Sequence, residues 1–204
     1  MNYTIVPFQE PRGVMRILQL IFAICAFATT VNFDYSMSFD CGGKKIEITI
    51  DYPFRTYEKI CDTGAIPLDV SSDAKFFVAT GVLSLMYCLF IIAVYAVFEE
   101  LYKSKSEIPI ADFMLTTILA IFWLSGSAAW SNGTNTFKAS TDSAAIIKDC
   151  TGCQVTSIGS FSGLNISLLL GYLNFFLWAS DLWFIYKETI WFQGRQTGTD
   201  VQAT

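Results

Sequence analysis

Four long apolar runs dominate the pattern of the chain, and polar segments separate them. A helix needs about 20 apolar residues to cross the hydrocarbon core of a bilayer. Each run comes close to that length, and a spanning segment must satisfy its own backbone hydrogen bonds, as a helix does. The pattern therefore predicts an all-α transmembrane protein, a four-helix membrane bundle with helices at about 14–31, 76–98, 111–130 and 164–186.

The same pattern sets the domain organisation. We predict an N-terminal arm at 1–13, a four-span domain at 14–192 and a short polar tail at 193–204. The first run has an alternative interpretation as a signal peptide, since a base precedes an apolar stretch that ends in Ala26-Phe27-Ala28. The arm carries acid as well as base, which favours the transmembrane interpretation.

In the first long loop, between the first two spans, apolar and polar residues alternate. Ile46, Ile48 and Ile50 are separated by single polar residues, and this period of two predicts a half-buried strand. Cys41 precedes the strand and Cys61 follows it. A bridge between these cysteines would close a small β-unit within this loop.

Composition strengthens the membrane interpretation and removes several kinds of function. Charged residues make up only 15% of the chain, against about 25% in soluble domains. No histidine occurs in the sequence, which removes the commonest general base and metal ligand. We therefore expect no enzyme activity, no cofactor and no metal site. A net charge of −5 without a basic stripe gives no reason to expect nucleic acid as a partner.

The second long loop, at about 131–161, is rich in Ser, Thr, Gly and Asn and contains Cys150 and Cys153. A C-x-x-C pair can shuttle disulfides through a thiolate of lowered pKa. A four-span membrane thiol oxidoreductase using this pair is therefore the alternative function. The pair lies in a polar loop with no evident hydrophobic pocket, so we favour a structural bridge between the two cysteines.

Cysteines and basic residues together predict the orientation. The four loop cysteines indicate an oxidising compartment, where paired cysteines persist. Arg12 and Arg16 flank the first span, and the next base is Lys44, which favours a cytosolic N-terminus. We predict cytosolic termini and luminal long loops. Asn132 begins an N-x-T sequon in the second loop and is a possible glycosylation site.

Polar residues within the apolar runs are the candidate functional residues. Two interpretations stay open for Asp181 in the fourth span: it reaches the lipid headgroups, or it pairs inside the bundle with Arg16 at a similar depth in the first span. We favour the headgroup interpretation. Gln19 and Asn174 can hydrogen-bond a helix of a partner protein.

Small residues indicate which faces lie inside the bundle. The third span contains Gly126, and the fourth carries Gly171 three residues before Asn174. Small side chains let helix backbones approach closely. We predict that these positions face the interior, and that Phe175 and Phe176 face lipid or another protomer.

Short motifs along nearly the whole chain resemble those of one family. They occur in the order Glu10-Pro11, Phe27-Ala28-Thr29, Tyr52-Pro53-Phe54-Arg55, Asp112-Phe113, Trp123-Leu124, Ala129-Trp130, Leu164-Asn165-Ile166-Ser167, Gly171, Leu173-Asn174, Leu177-Trp178, Trp183-Phe184 and Lys187-Glu188-Thr189. On these motifs the chain resembles the synaptophysin family, the physins, within the wider MARVEL-domain group.

The resemblance implies a non-catalytic vesicle protein. It implies cytosolic termini, one disulfide within each luminal loop, and residence in secretory or synaptic-like vesicles. It also implies homo-oligomers, cholesterol-rich membranes and association with synaptobrevin, a vesicle fusion protein. Two departures stand out: Asp181 replaces the usual Asn of the family, and the second-loop cysteines are closer together than is typical.

Overall fold

A computed structural model describes residues 10–61, 64–98, 102, 104, 107–150 and 152–189. The helices are α1 (Pro11–Val31), α2 (Ser71–Val97), α3 (Glu107–Ser140), α4 (Ser143–Asp149) and α5 (Ser162–Glu188). The strands are β1 (Tyr35–Cys41), β2 (Lys44–Ile50), β3 (Arg55–Lys59), β4 (Ala65–Asp69) and β5 (Cys153–Ile158). Among the described residues, four helical segments are long and apolar enough to cross a membrane, and they begin at Pro11, Ser71, Glu107 and Ser162.

The four predicted transmembrane helices are therefore confirmed, although each begins before its apolar run. The start of α2 gives a reason: Asp69 accepts hydrogen bonds from the Ser71 backbone N–H at 3.2 Å and from its hydroxyl at 2.7 Å. A side-chain oxygen that satisfies a free N–H at a helix start stabilises polar residues as the first turn. The tail predicted at 193–204 and most of the arm predicted at 1–13 lie outside the described residues.

The described chain divides into two compact units, and each is described by itself. The first unit contains α1 as far as Ile24, α2 from Thr80, α3 as far as Leu124 and α5 from Gly171. The second unit contains the other parts of these helices, all five strands and α4.

Helix α3 corrects the prediction for the start of the second long loop. The polar composition of 131–161 predicts a loop, but α3 continues to Ser140 and is 34 residues long. At 1.5 Å per residue that is about 51 Å, well beyond the hydrocarbon thickness of about 30 Å. The extension has one buried face, at Trp130, Thr134, Phe137 and the following Thr141. This spacing is helical, but only two of these side chains are large and apolar, so the sequence signal is weak.

A three-stranded antiparallel sheet joins the two long loops. Its strand order is β2-β1-β5, so β1 is central. The pairing of β1 with β2 runs from Tyr35 opposite Ile50 to Cys41 opposite Lys44. Strand β2 confirms the prediction made from alternating isoleucines. Strand β5 comes from the second loop and pairs with the other edge of β1.

The disulfide pairing differs from the prediction. Cys41 is bonded to Cys153, and Cys61 is bonded to Cys150. The predicted bridges within each loop, Cys41 with Cys61 and Cys150 with Cys153, are therefore wrong. The β-sheet explains the first true pair, because Cys41 and Cys153 stand opposite each other in the antiparallel register of β1 and β5. Both bridges thus connect one long loop to the other.

An aromatic core holds the second unit together. Phe54 is fully buried; its ring stacks on Trp130 with centroids 5.5 Å apart and meets the edge of Phe137 at 5.7 Å. Phe137 also makes an edge contact with Tyr35 of β1, at 5.5 Å. The φ angle of Phe54 is +64°, a conformation that costs energy for a bulky residue and persists only where the surroundings enforce it. Packing against the α3 extension supplies that enforcement.

Candidate functional site

A buried polar cluster lies among the apolar helices of the first unit, with Arg16 at its centre. The Arg16 side chain is fully buried although it carries a charge. It forms ion pairs with Asp112 of α3 at 2.5 Å and with Asp181 of α5 at 3.1 Å. It also donates hydrogen bonds to Gln19 at 2.9 Å and to Thr116 at 2.7 Å. One guanidinium therefore connects α1, α3 and α5.

Asp112 receives the most hydrogen bonds in this cluster. Its carboxylate accepts from Arg16 and from the hydroxyl of Thr116, one turn along the same helix. The remaining donors are three tyrosine hydroxyls, at 2.5, 2.6 and 3.0 Å, and they come from Tyr87, Tyr95 and Tyr102. Because five donors converge on this one carboxylate, Asp112 fixes the position of Arg16. We call these residues, together with Gln19 and Asp181, the Arg16 cluster.

Asp181 corrects the interpretation favoured from the sequence. Its side chain is fully buried inside the chain and not on an outer helix face. It pairs with Arg16 and accepts a hydrogen bond from Gln19 at 3.0 Å. The alternative interpretation, an ion pair inside the bundle, is therefore the correct one. Similar depth in two neighbouring helices was the signal that pointed to it.

The structure also corrects the prediction that Gln19 and Asn174 contact the helix of a partner protein. Both side chains are fully buried within the chain. Gln19 accepts from Arg16 and donates to Asp181, so its amide is used inside the cluster. Neither residue is placed to bond an outside helix. The predicted faces are confirmed at Gly126 and Gly171, which are buried, and at Phe176, which is 62% exposed, whereas Phe175 is half-buried.

A second arginine continues the charged arrangement towards the start of α1. Arg12 is 3% exposed and pairs with Glu10 at 2.6 Å and with Glu188 of α5 at 3.5 Å. Its guanidinium lies over the rings of Tyr95 and Tyr102, at 5.2 and 5.0 Å from their centroids. These two tyrosines therefore contact Arg12 through their faces and Asp112 through their hydroxyls.

Tyr102 lies between α2 and α3, outside the spanning helices. Burial raises the pKa of its hydroxyl, and the neighbouring Asp112 carboxylate raises it further. The hydroxyl is therefore protonated at neutral pH and remains a hydrogen-bond donor to Asp112.

The pairing of opposite charges in the Arg16 cluster indicates what this arrangement can do. Ionised residues inside a membrane are costly, and they are retained where they pair with one another. A buried ion pair adds little net stability over apolar packing, but removal of one partner is strongly destabilising. The Arg16 cluster can therefore hold three helices in one register, because any displacement separates charges. Among the described residues, no group of His, Cys, Asp and Glu could hold a metal ion.

The sites predicted in the second long loop, Cys150, Cys153 and Asn132, belong to the second unit. Cys150 and Cys153 are both buried and bonded to different partners. Asn132 is exposed on the α3 extension, whereas Thr134 of the same sequon is buried. Glycosylation of Asn132 stays a prediction.

Sequence reasoning missed several members of the cluster. From sequence, Asp112 is named only in the motif Asp112-Phe113, and the tyrosines are not singled out. A signal was available for two of them, because Tyr87 and Tyr95 are eight residues apart and so share one face of a helix. The family model of the MARVEL membrane-associating domain matches residues 8–184, a range that includes the whole Arg16 cluster.

Proposed function

Because the chain belongs to the MARVEL family of membrane-associating domains, we propose that it is a non-catalytic organiser of vesicle membranes. Within this family we assign it to the synaptophysin type, on the motifs that run in order along the sequence. The vesicles are secretory or synaptic-like ones. The termini face the cytosol, and the disulfide-bonded loops face the lumen, where an oxidising environment preserves the bridges.

The observation that carries this proposal is the character of the helix surfaces. Large apolar side chains point outwards along the spans, with Met86 and Phe90 63% exposed, Leu169 69% and Phe176 62%. Arg16, Asp112 and Asp181 of the first unit are instead paired inside. A chain of this kind recognises other molecules within the bilayer, through shape and apolar contact.

The partner that we propose is a synaptobrevin-type fusion protein, which has a single membrane span. Contacts between helices in a membrane contribute modest energies each, and such energies suit reversible assembly of many copies better than one tight complex. We further propose homo-oligomers and a preference for cholesterol-rich lipid. These proposals extend the family resemblance to this chain.

The thiol oxidoreductase alternative has lost the observation that suggested it. It required Cys150 and Cys153 to exchange electrons as a pair, but each is bonded to a cysteine of the first long loop. Both are also buried, at 1% and 6% exposed, whereas a catalytic thiol must be reached by its substrate.

Two measurements test the proposal. A tagged full chain is imaged beside vesicle, junction and endoplasmic reticulum markers, and it is purified in mild detergent to identify bound proteins. We expect a vesicle pool and co-purification of a synaptobrevin-type protein. The matched variant lacks residues 193–204 and should retain the partner. Residence at junctions or in the endoplasmic reticulum without a vesicle pool contradicts the proposal, and loss of the partner with the tail contradicts recognition through the helices.

A further inference from the structure

A cleft between α2 and α3 of the first unit is lined in part by Tyr87 and Asp112 of the Arg16 cluster, and the rest of its lining has no role in that cluster. Its volume is about 380 Å³, within the range of about 300–1,000 Å³ typical of ligand sites. The described walls are mainly apolar and include Phe90 and Val94 of α2 and Ile108, Ala111 and Leu115 of α3.

The cleft has a direction, because its exposed acid lies at one end. Glu107 lines it at the first residue of α3, and Leu115 lines it eight residues further on, about 12 Å along the helix axis. Phe90 is 63% exposed and Leu115 is 45% exposed, so the cleft is open on its outer side beside these two residues, where lipid can enter. An occupant therefore needs a polar group at the helix start and an apolar chain beside it.

The charge of the lining selects among amphiphiles. The described lining includes two acids, Glu107 and Asp112, and no base. The Asp112 carboxylate already accepts hydrogen bonds from Arg16 and three tyrosines. Glu107 is exposed, and among the described residues no base lies within ion-pair distance of it. An exposed carboxylate can be reached by a cationic hydrogen-bond donor.

We propose that this cleft binds a phospholipid that carries a primary amine, as phosphatidylethanolamine does. The ammonium group donates hydrogen bonds to Glu107, and one acyl chain lies along Ile108, Ala111 and Leu115. A choline headgroup has no N–H to donate, and a lipid with net negative charge meets two carboxylates. A sterol has no cation for Glu107. The site does not depend on vesicle residence or on the fusion-protein partner.

Native mass spectrometry tests this site on the full chain. The purified protein is equilibrated with equimolar phosphatidylethanolamine, phosphatidylcholine, phosphatidylserine and cholesterol in detergent. We expect about two- to fivefold more ethanolamine adduct than choline adduct, the lower range of what one hydrogen bond contributes, because both headgroups are cationic but only the primary ammonium has N–H donors. Equal adducts of these two lipids, or more phosphatidylserine adduct than phosphatidylethanolamine adduct, would overturn the proposal.

Substitutions separate the headgroup from the chain. Glu107→Gln should reduce the preference for ethanolamine over choline, because a neutral amide oxygen is a weaker acceptor for an ammonium group than a carboxylate is, and unchanged preference in this variant contradicts the assigned contact. Ala111→Trp should fill the cleft and reduce all lipid adducts. Ala128→Trp is the matched control, because Ala128 is also exposed on α3 but does not line the cleft. An equal reduction by both Trp variants contradicts the site, and if Ala111→Trp does not fold, the Glu107→Gln comparison decides.

Discussion

Replacement of Arg16 by Met should be among the most damaging single changes in the chain. Methionine fills a similar space but leaves the carboxylates of Asp112 and Asp181 buried without a cation. It also removes hydrogen bonds to Gln19 and Thr116. Breaking a buried ion pair by removing one partner costs about 3–5 kcal/mol. Because both carboxylates lose the same guanidinium, we expect a loss of stability at the upper end of this range.

The assay is thermal unfolding of the full chain in nanodiscs, followed by tryptophan fluorescence. Addition of Asp112→Asn and Asp181→Asn to Arg16→Met should recover part of the loss, because the two carboxylates that lost their cation are then neutral amides. Arg55→Met is the matched control, since the Arg55 side chain is 73% exposed in its ion pair with Asp69, and exposed pairs contribute little. If Arg16→Met is no worse than this control, or if the added substitutions only worsen it, the reasoning about the cluster is refuted.

Three further predictions concern the second unit. Cys41→Ser should cost about 2–5 kcal/mol, and non-reducing peptide mapping should then find Cys153 free and the other bridge intact; a bridge between Cys153 and another cysteine contradicts the register. Gly163→Ala should cost about 1–3 kcal/mol in thermal unfolding, because the new Cβ would lie 2.6 Å from the Phe33 ring; an unchanged melting temperature contradicts this packing. Trp130→Phe removes the indole N–H that donates to the Ser167 hydroxyl at 3.0 Å. Thermal unfolding should therefore show a loss of stability of about 1 kcal/mol, and unchanged stability contradicts this hydrogen bond.

Features that depend on neighbouring residues in the chain could be predicted from sequence. The apolar runs located all four spans, because bilayer thickness sets a minimum length that few soluble helices reach. The alternating isoleucines located β2 for a similarly local reason. The bounds were less accurate, since polar residues such as Ser71 continue a helix wherever its first turn is capped.

Features that depend on distant pairing could not be predicted. The partner of Cys41 is fixed by the register between β1 and β5, and the two cysteines are 112 residues apart. Loop composition indicated that bridges exist but not which loop supplies each partner. The helical extension to Ser140 depends in the same way on contacts between Phe137 and aromatic residues of the loops.

The candidate site falls between these cases. An Arg and an Asp in apolar runs, Arg16 and Asp181, identified two of its charged members, and membrane energetics explains why such residues pair. Sequence did not reveal that Asp112, rather than Asp181, accepts most of the hydrogen bonds. That distinction depends on which helix faces place Tyr95 and Tyr102 around one carboxylate.

Recognition through the outward helix surfaces is the central claim, and photocrosslinking from single positions tests it most directly. A photoreactive amino acid is placed at the exposed positions Phe90 and Phe176 and, as the control, at the fully buried Trp123. In vesicle membranes the account predicts crosslinks to a synaptobrevin-type protein from at least one exposed position and none from Trp123. Crosslinks to that protein only from residues 193–204 or from the disulfide-bonded sheet, with none from either span position, would contradict it.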